Sequence, residues 1–247
     1  MIKAVIFDLD NTLYDYDAIN EKAVEYTGKW LCGVTGISYV QFQWAFSKGR
    51  NLTQKYMGDC ASQHNRMIYF QKTSECLGLN PIKYSLELYE KYWGYMLDNM
   101  RLEKGVGRLL ERLRSSGIKA AICTDLTTHI QHRKLRKLGI ADYIDVFVSS
   151  EEAGVEKPNA AIFNLVIGKL DIQPDEACYV GDSYEKDMIG AGNLGMHPVW
   201  FNPHEKTRIG AEMSTVLEIT EMRQLENFLD LQEIRTRKDI KSGKQNV

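Results

Sequence analysis

Residues 2–13 read Ile2-Lys3-Ala4-Val5-Ile6-Phe7-Asp8-Leu9-Asp10-Asn11-Thr12-Leu13, and this stretch decides the fold. A run of β-branched and aromatic residues with few charges is the pattern of a buried strand in a parallel sheet. The run stops abruptly at Asp8, Asp10 and Thr12, so two carboxylates stand where the strand ends. In open α/β sheets the ligand crevice lies outside the carboxyl ends of the strands, which places Asp8 and Asp10 at a site. Two acids this close repel one another, and keeping both ionised at neutral pH requires a cation. A hard divalent ion with oxygen ligands, Mg²⁺, is the natural choice. By themselves Asp8, Asp10 and Asn11 would also suit a polar turn after an edge strand.

Downstream, the chain chooses between these readings. From about Leu102 onward helix and strand patterns alternate, with helices expected over 106–114, 128–138, 160–170 and 186–194. They lead to strands expected over 118–123, 146–149, 177–180 and 198–201. Repeated units of this length imply a Rossmann-like α/β class, a parallel sheet with helices on both faces, to which the first strand belongs. Between Leu13 and Leu102 the texture is different: apolar residues such as Leu86, Tyr89, Trp93, Met96 and Leu97 recur at helical spacing. Helices are expected over Tyr14–Leu31, Ser38–Lys48, Thr53–Leu77 and Pro81–Met100, with breaks at Gly33–Gly36 and Gly78–Pro81. The α/β core is therefore expected over 1–13 and 102–231, interrupted by a helical cap over 14–101 that emerges at the end of the first strand and roofs the site. Val216–Ile219 suits an edge strand and Thr220 the start of a closing helix. Residues 232–247, with Arg235, Arg237, Lys238, Lys241 and Lys244 among little that is apolar, read as a disordered basic tail.

Composition narrows the class of partner. A chain of 247 residues with 44% hydrophobic and 26% charged residues is long enough to bury a stable core. A formal charge of −2 carries no global signal for a nucleic-acid polymer or an anionic membrane. The run His129, His132, Arg133, Lys134, Arg136, Lys137 falls on a helix between strands and reads as its solvated face. Cys32, Cys60, Cys76, Cys123 and Cys178 are scattered without a Cys-x-x-Cys pair, which points away from disulfides and zinc and toward a reducing cytoplasm. The amino terminus enters the first strand at once and no apolar run approaches the ~18 residues of a membrane span, so neither secretion nor membrane insertion is expected. A monomer or homodimer acting on a small molecule is the resulting expectation.

Further polar residues fall at or just beyond the ends of the other expected strands: Thr124, Lys157 and Asp182, with Asp187 near the start of the next helix. Each alone has a bland reading as a turn, a helix cap or a surface lysine. Their order across separate strands points to one chemistry, attack by a carboxylate on phosphorus. A phosphate ester and Asp8 are both anionic and repel unless positive charge is fixed between them. Mg²⁺ would supply that charge, with Asp8, Asp10 and Asp182 as the expected metal residues and a backbone carbonyl beside them. The Lys157 ammonium would neutralise more, and a Thr124 hydroxyl with nearby N–H groups would bind phosphoryl oxygens. Asp10 would protonate the leaving oxygen and later activate water. Asp125 belongs with Thr124 and Lys157 in the phosphate-binding set, although an acid beside an anion site is expected to turn away or face the cap. Thr12 and Asp187 are expected to support the set.

Asp8-Leu9-Asp10-Asn11-Thr12-Leu13, Thr124, Lys157-Pro158 and Gly181-Asp182 with Asp187 resemble, in order, the four motifs of the haloacid dehalogenase superfamily. The resemblance runs from residue 1 to about 203, with the helical cap after the first motif, and looks like the phosphatase branch near the nucleotidases and sugar-phosphate phosphatases. It implies Asp8 as nucleophile, Asp10 as general acid and base, Mg²⁺ as cofactor, and Asp187 as a brace for Lys157 or a water-mediated metal contact. Expelling halide needs no proton donor, and the dehalogenases lack an acid two residues after the nucleophile, so Asp10 favours the phosphatase. A phosphomonoesterase for a nucleotide or sugar phosphate is expected; a phosphoryl-transferring mutase, a dehalogenase relative and a catalytically silent binding module are the alternatives. Within the cap, Trp30, Trp44, Phe46, Tyr56, Tyr69 and Trp93 read as core before ligand platform, while Arg50, His64 and Arg66 suit a second anionic group.

Overall fold

The computed structural model describes residues 1–58, 60–208 and 213–230; the basic tail expected over 232–247 lies outside them. Strands β1 (Ala4–Phe7), β2 (Lys119–Thr124), β3 (Val146–Ser149), β4 (Ala177–Gly181), β5 (His197–Phe201) and β6 (Leu217–Ile219) form one sheet in the order β3-β2-β1-β4-β5-β6. All neighbours run parallel. β1 is central and wholly buried because both of its faces are covered. Val5 and Phe7 join Leu109, Leu110 and Leu113 on one face, and Ala4 and Ile6 join Ile162, Phe163 and Val166 on the other. Those partners come from helices α5 (Val106–Ser115) and Ala160–Leu170, one on each side of the sheet. Each large apolar side chain removed from water in this way contributes about 1.5–3 kcal/mol.

Strand register determines what meets at the carboxyl edge. Phe7 pairs with Ile122 on one side and Val180 on the other, so Asp8 stands level with Cys123 and Gly181. The connections run outward from β1 through β2 to β3, then cross over to β4, β5 and β6. The winding therefore reverses beside β1, where a crevice opens.

Between β1 and β2 the chain forms α1 (Tyr16–Thr35), α2 (Tyr39–Met57), α3 (Arg66–Cys76) and α4 (Pro81–Asn99). Side chains of Asp15, Ser38, Asn65 and Asn80 cap their amino termini, and Gly36 closes α1 in the left-handed region at φ 78°. Phe42, Phe70, Leu88, Tyr92 and Met96 pack into a cluster of their own, joined by Leu126 and Ile130 from the sheet side. The single helix expected over Thr53–Leu77 is interrupted: α2 stops at Met57, a short 3₁₀ turn occupies Ala61–His64, and α3 starts at Arg66. Gly58 at φ 63° and the Asn65 cap break the helix despite the continuous polar-aromatic pattern.

A second difference concerns which face is buried. Val40, Trp44 and Leu86 are 73%, 54% and 53% exposed, while α2 buries Phe42, Ala45, Gly49 and Thr53. Small residues there admit close backbone approach: a Cβ on Gly49 would lie 3.0 Å from the Tyr69 carbonyl and the Thr73 amide of α3. Beyond β4 the expected helix over 186–194 is instead a π-helix, Tyr184–Ile189, running into Gly190–Gly192. A further helical stretch covers 222–230. Among the described residues no helix is long and apolar enough to cross a membrane.

Candidate active site

Asp8 leaves β1 with its amide bonded to the Val180 carbonyl at 2.9 Å, which directs its carboxylate into the crevice. Lys157 Nζ donates to Asp8 Oδ1 at 2.7 Å and to Asp187 Oδ1 at 2.6 Å, all three side chains being buried. Asp187 reaches this position because the wide π turn folds it back beneath β4, where Ser183 N also donates to its Oδ2 at 3.0 Å. Asp182 follows β4 directly, its backbone carbonyl accepting from Trp200 Nε1 at 2.9 Å. Thr124 ends β2, and its buried hydroxyl accepts from Gln131 Nε2 at 2.9 Å. These groups line one cavity of about 350 Å³. Of the other expected residues, Thr12 is fully buried, with a hydroxyl that has no hydrogen-bond partner among the described residues.

Asp125 lines the same cavity but is already engaged. Its Oδ1 accepts from the Lys157 amide at 3.1 Å and its Oδ2 from Lys186 Nζ at 2.9 Å, so its charge is balanced and it orders the Lys157 loop. Asp10 also faces the cavity, with both carboxylate oxygens on Lys134 Nζ at 2.7 and 2.8 Å and the Tyr14 hydroxyl donating to Oδ1 at 2.6 Å.

Carboxylate oxygens of Asp8, Asp182 and Asp187 lie within 4.8 Å of one another. The Asp10 carboxylate, expected among the metal residues, stands apart from this cluster on Lys134 and Tyr14. Burial pushes Asp8 up to about 8, the Lys157 ammonium opposing while Asp187, Asp182 and Asp10 add repulsion. Burial and Asp187 push Asp182 up to about 6 against Lys206 and Lys157. Burial alone would lower the Lys157 ammonium, but Asp187 and Asp8 hold it well above its ordinary value. Asp8 and Asp187 share Lys157 and Asp182 has only the more exposed Lys206 at 3.5 Å, so three acids face two lysines, and an all-oxygen donor set with this excess of negative charge suits a hard divalent cation.

Residues 2–195 match the profile of the haloacid dehalogenase-like hydrolases. The chain belongs to this family. A ribulose-1,5-bisphosphate 5-phosphatase from Halopiger xanaduensis is 37% identical over 212 residues, spanning 84% of this chain and 87% of that protein. A glyceraldehyde 3-phosphate phosphatase from Methanopyrus kandleri is 31% identical over 197 residues, 79% of this chain and 82% of that one. A solved phosphatase of the family from Thermococcus onnurineus superposes with a TM-score of 0.73 at 28% identity, over 92% of this chain and 98% of that structure. This haloacid dehalogenase-like hydrolase is a phosphatase.

In this phosphatase two residues on one helix escape a reading by motif. Gln131 and Lys134 lie on α6 (Thr128–Lys137), which the basic run marks as solvated, yet Lys134 is 0% exposed. The signal was present in the spacing: Ile130, Gln131, Lys134 and Leu135 form the buried stripe, so the lysine occupies a core position. Of the aromatic residues in the inserted helices, Tyr16, Phe46 and Tyr69 reach the cavity, Trp93 is core, and Trp44 and Tyr56 are exposed. Arg50, His64 and Arg66 all line the cavity.

Proposed function

We propose that this phosphatase is a Mg²⁺-dependent phosphomonoesterase that hydrolyses a small phosphorylated sugar bearing a second anionic group, through an aspartyl-phosphate on Asp8. The observation that carries this reading is a strand-end carboxylate held 2.7 Å from a buried ammonium, in a cavity that Arg50 and Arg66 also line. Arg66 sharpens the substrate. Among the described residues its guanidinium has no carboxylate partner; it donates to the His64 carbonyl at 2.7 Å and to the hydroxyls of Tyr16 and Tyr92. The rings of Tyr16, Tyr69 and Tyr92 lie 6.0, 4.9 and 5.8 Å from it. Neutral partners orient the cation without cancelling its charge, which leaves it available to a second phosphate. The activities of the two relatives, on a sugar bisphosphate and a triose phosphate, support a ligand of this size and kind.

In the first step an oxygen of Asp8 bonds to phosphorus, the bond to the leaving oxygen breaks, and Asp10 gives that oxygen its proton. Lys157 and the Thr124 hydroxyl meet the phosphoryl oxygens as their charge redistributes. In the second step water attacks phosphorus, Asp10 takes its proton, the Asp8–phosphorus bond breaks, and inorganic phosphate leaves. Asp8 and Asp182 would hold Mg²⁺, with Asp187 beside them; the ion supplies the positive charge that lets two anions approach. Helices α1–α4 serve as the cap that contributes the second anion subsite.

Release of phosphate from ribulose-1,5-bisphosphate, glyceraldehyde 3-phosphate, a pyrimidine nucleotide and p-nitrophenyl phosphate tests the reading. The bisphosphate should have the highest kcat/KM, and Arg66→Gln should raise its KM by roughly 10-fold or more, the worth of a charge-assisted hydrogen bond. Asp8→Asn should lose at least ~10³-fold in turnover while remaining folded. Turnover by a folded Asp8→Asn chain excludes the aspartyl-phosphate, and a preference for monophosphates excludes the second anion subsite.

A further inference from the structure

Lys134 is a buried ammonium, and isolating such a charge from water costs several kcal/mol unless a partner compensates. Its partner is Asp10, whose two oxygens lie 2.7 and 2.8 Å from Nζ. Three rings enclose the same ammonium, with centroids at 5.7 Å for Tyr14, 5.4 Å for Tyr16 and 5.3 Å for Trp93. Tyr14 and Tyr16 come from the segment that follows Asp10, and Trp93 comes from α4, so the β1 loop, α6 and the inserted helices converge on one nitrogen. The terminal torsion of an aspartate is intrinsically broad. A donor on both oxygens narrows it, and the side chain is still 25% exposed, toward the cavity that holds Asp8.

We propose that Lys134 is a positioning residue that aims the Asp10 carboxyl at the leaving-group oxygen and neutralises the carboxylate left once its proton is delivered. This rests on the proton-transfer role given to Asp10 above. As the phosphorus–oxygen bond breaks, its electron pair takes the Asp10 proton; the new carboxylate keeps both oxygens on Lys134 until it accepts a proton from the attacking water. Lys134 itself neither gains nor loses a proton and acts on the substrate only through Asp10.

The test varies the leaving group. A sugar alkoxide must be protonated as it leaves, whereas p-nitrophenolate leaves without help, and kcat/KM for both esters reports the first phosphoryl transfer. With the full chain and Mg²⁺, Lys134→Met should lower kcat/KM for the sugar phosphate by about 100-fold, at the lower end of general-acid contributions. The loss on p-nitrophenyl phosphate should be at least about tenfold smaller, and Lys134→Arg should recover part of the ratio. Asp10→Asn should show the same selectivity, and the double variant should add none. Equal losses on the two esters in a folded Lys134→Met chain, or a further selective loss in the double variant, would overturn the inference. If the Met variant gives no cooperative melting transition, Lys134→Gln against Lys134→Arg provides the same comparison, with equal ratios overturning it. An Asp10→Asn chain without selectivity would instead remove the role of Asp10.

Discussion

In the proposed mechanism Asp8 has to be charged to attack phosphorus, yet burial and its acidic neighbours raise its pKa from 3.8 to about 8. Between those values the folded chain keeps a proton that the unfolded chain has released. Without a divalent ion, stability therefore falls as pH rises through this window. Asp182, raised from 3.8 to about 6, adds to the fall with the same sign. The melting temperature of the metal-free chain should drop between about pH 4 and about pH 8. Because a divalent ion binds the ionised acids, added Mg²⁺ should raise the melting temperature more at the alkaline end of that range than at the acidic end. Thermal scans with chelator and with Mg²⁺ across the range check this; a metal-free chain that melts higher as pH rises would contradict it.

At the scale of elements, the connection from β4 into the π-helix does the work of bringing Asp187 to Lys157. The close approach depends on Gly181: a Cβ there would sit 2.4 Å from the Asp187 carboxylate. Gly181→Ala should therefore push Asp187 off Lys157. Overpacking of this kind costs about 1–3 kcal/mol, readable as a lower urea midpoint. Loss of the brace at 2.6 Å should also reduce kcat/KM at least tenfold, since reacting groups tolerate little misplacement. A variant with unchanged stability and kinetics would mean that the π turn is incidental to the site. Asn11 plays the matching part after β1: at φ 60° its side chain accepts from the Tyr16 and Asp17 amides at 3.0 Å, tying the Asp8–Asp10 loop to the start of α1.

Across the whole molecule, the inserted helices meet the sheet through a polar seam as well as an apolar one. Gln63 Nε2 donates to the buried Glu156 carboxylate at 2.7 Å, with His64 and Lys186 each 3.3 Å from the same oxygen. Glu156 directly precedes Lys157, so the 3₁₀ turn of the insertion is bonded to the loop carrying the Lys157 ammonium. Glu156→Ala should loosen that seam and raise KM several-fold with a smaller effect on kcat, because it removes a contact that closes the cavity and not one made during the reaction. Steady-state kinetics decide it: a fall in kcat at constant KM would place the seam in the chemical step.

What the sequence determined by itself was local. The unbroken apolar run of β1, the acids at its end, the alternation after Leu102 and the helical spacing before it follow from periodicity and turn chemistry within a few residues. From these came the parallel sheet, its inserted helices, and the expectation that Asp8, Thr124, Lys157 and Asp182 share one edge. Tertiary structure alone decided which charges meet. Lys134 looks solvated until α6 packs against residues 124 positions away at Asp10. Arg66 acquires its tyrosine cage only when the inserted helices pack on one another. The physical reason is that burial and charge pairing depend on neighbours from distant parts of the chain, while strand and helix patterns depend on neighbours along it.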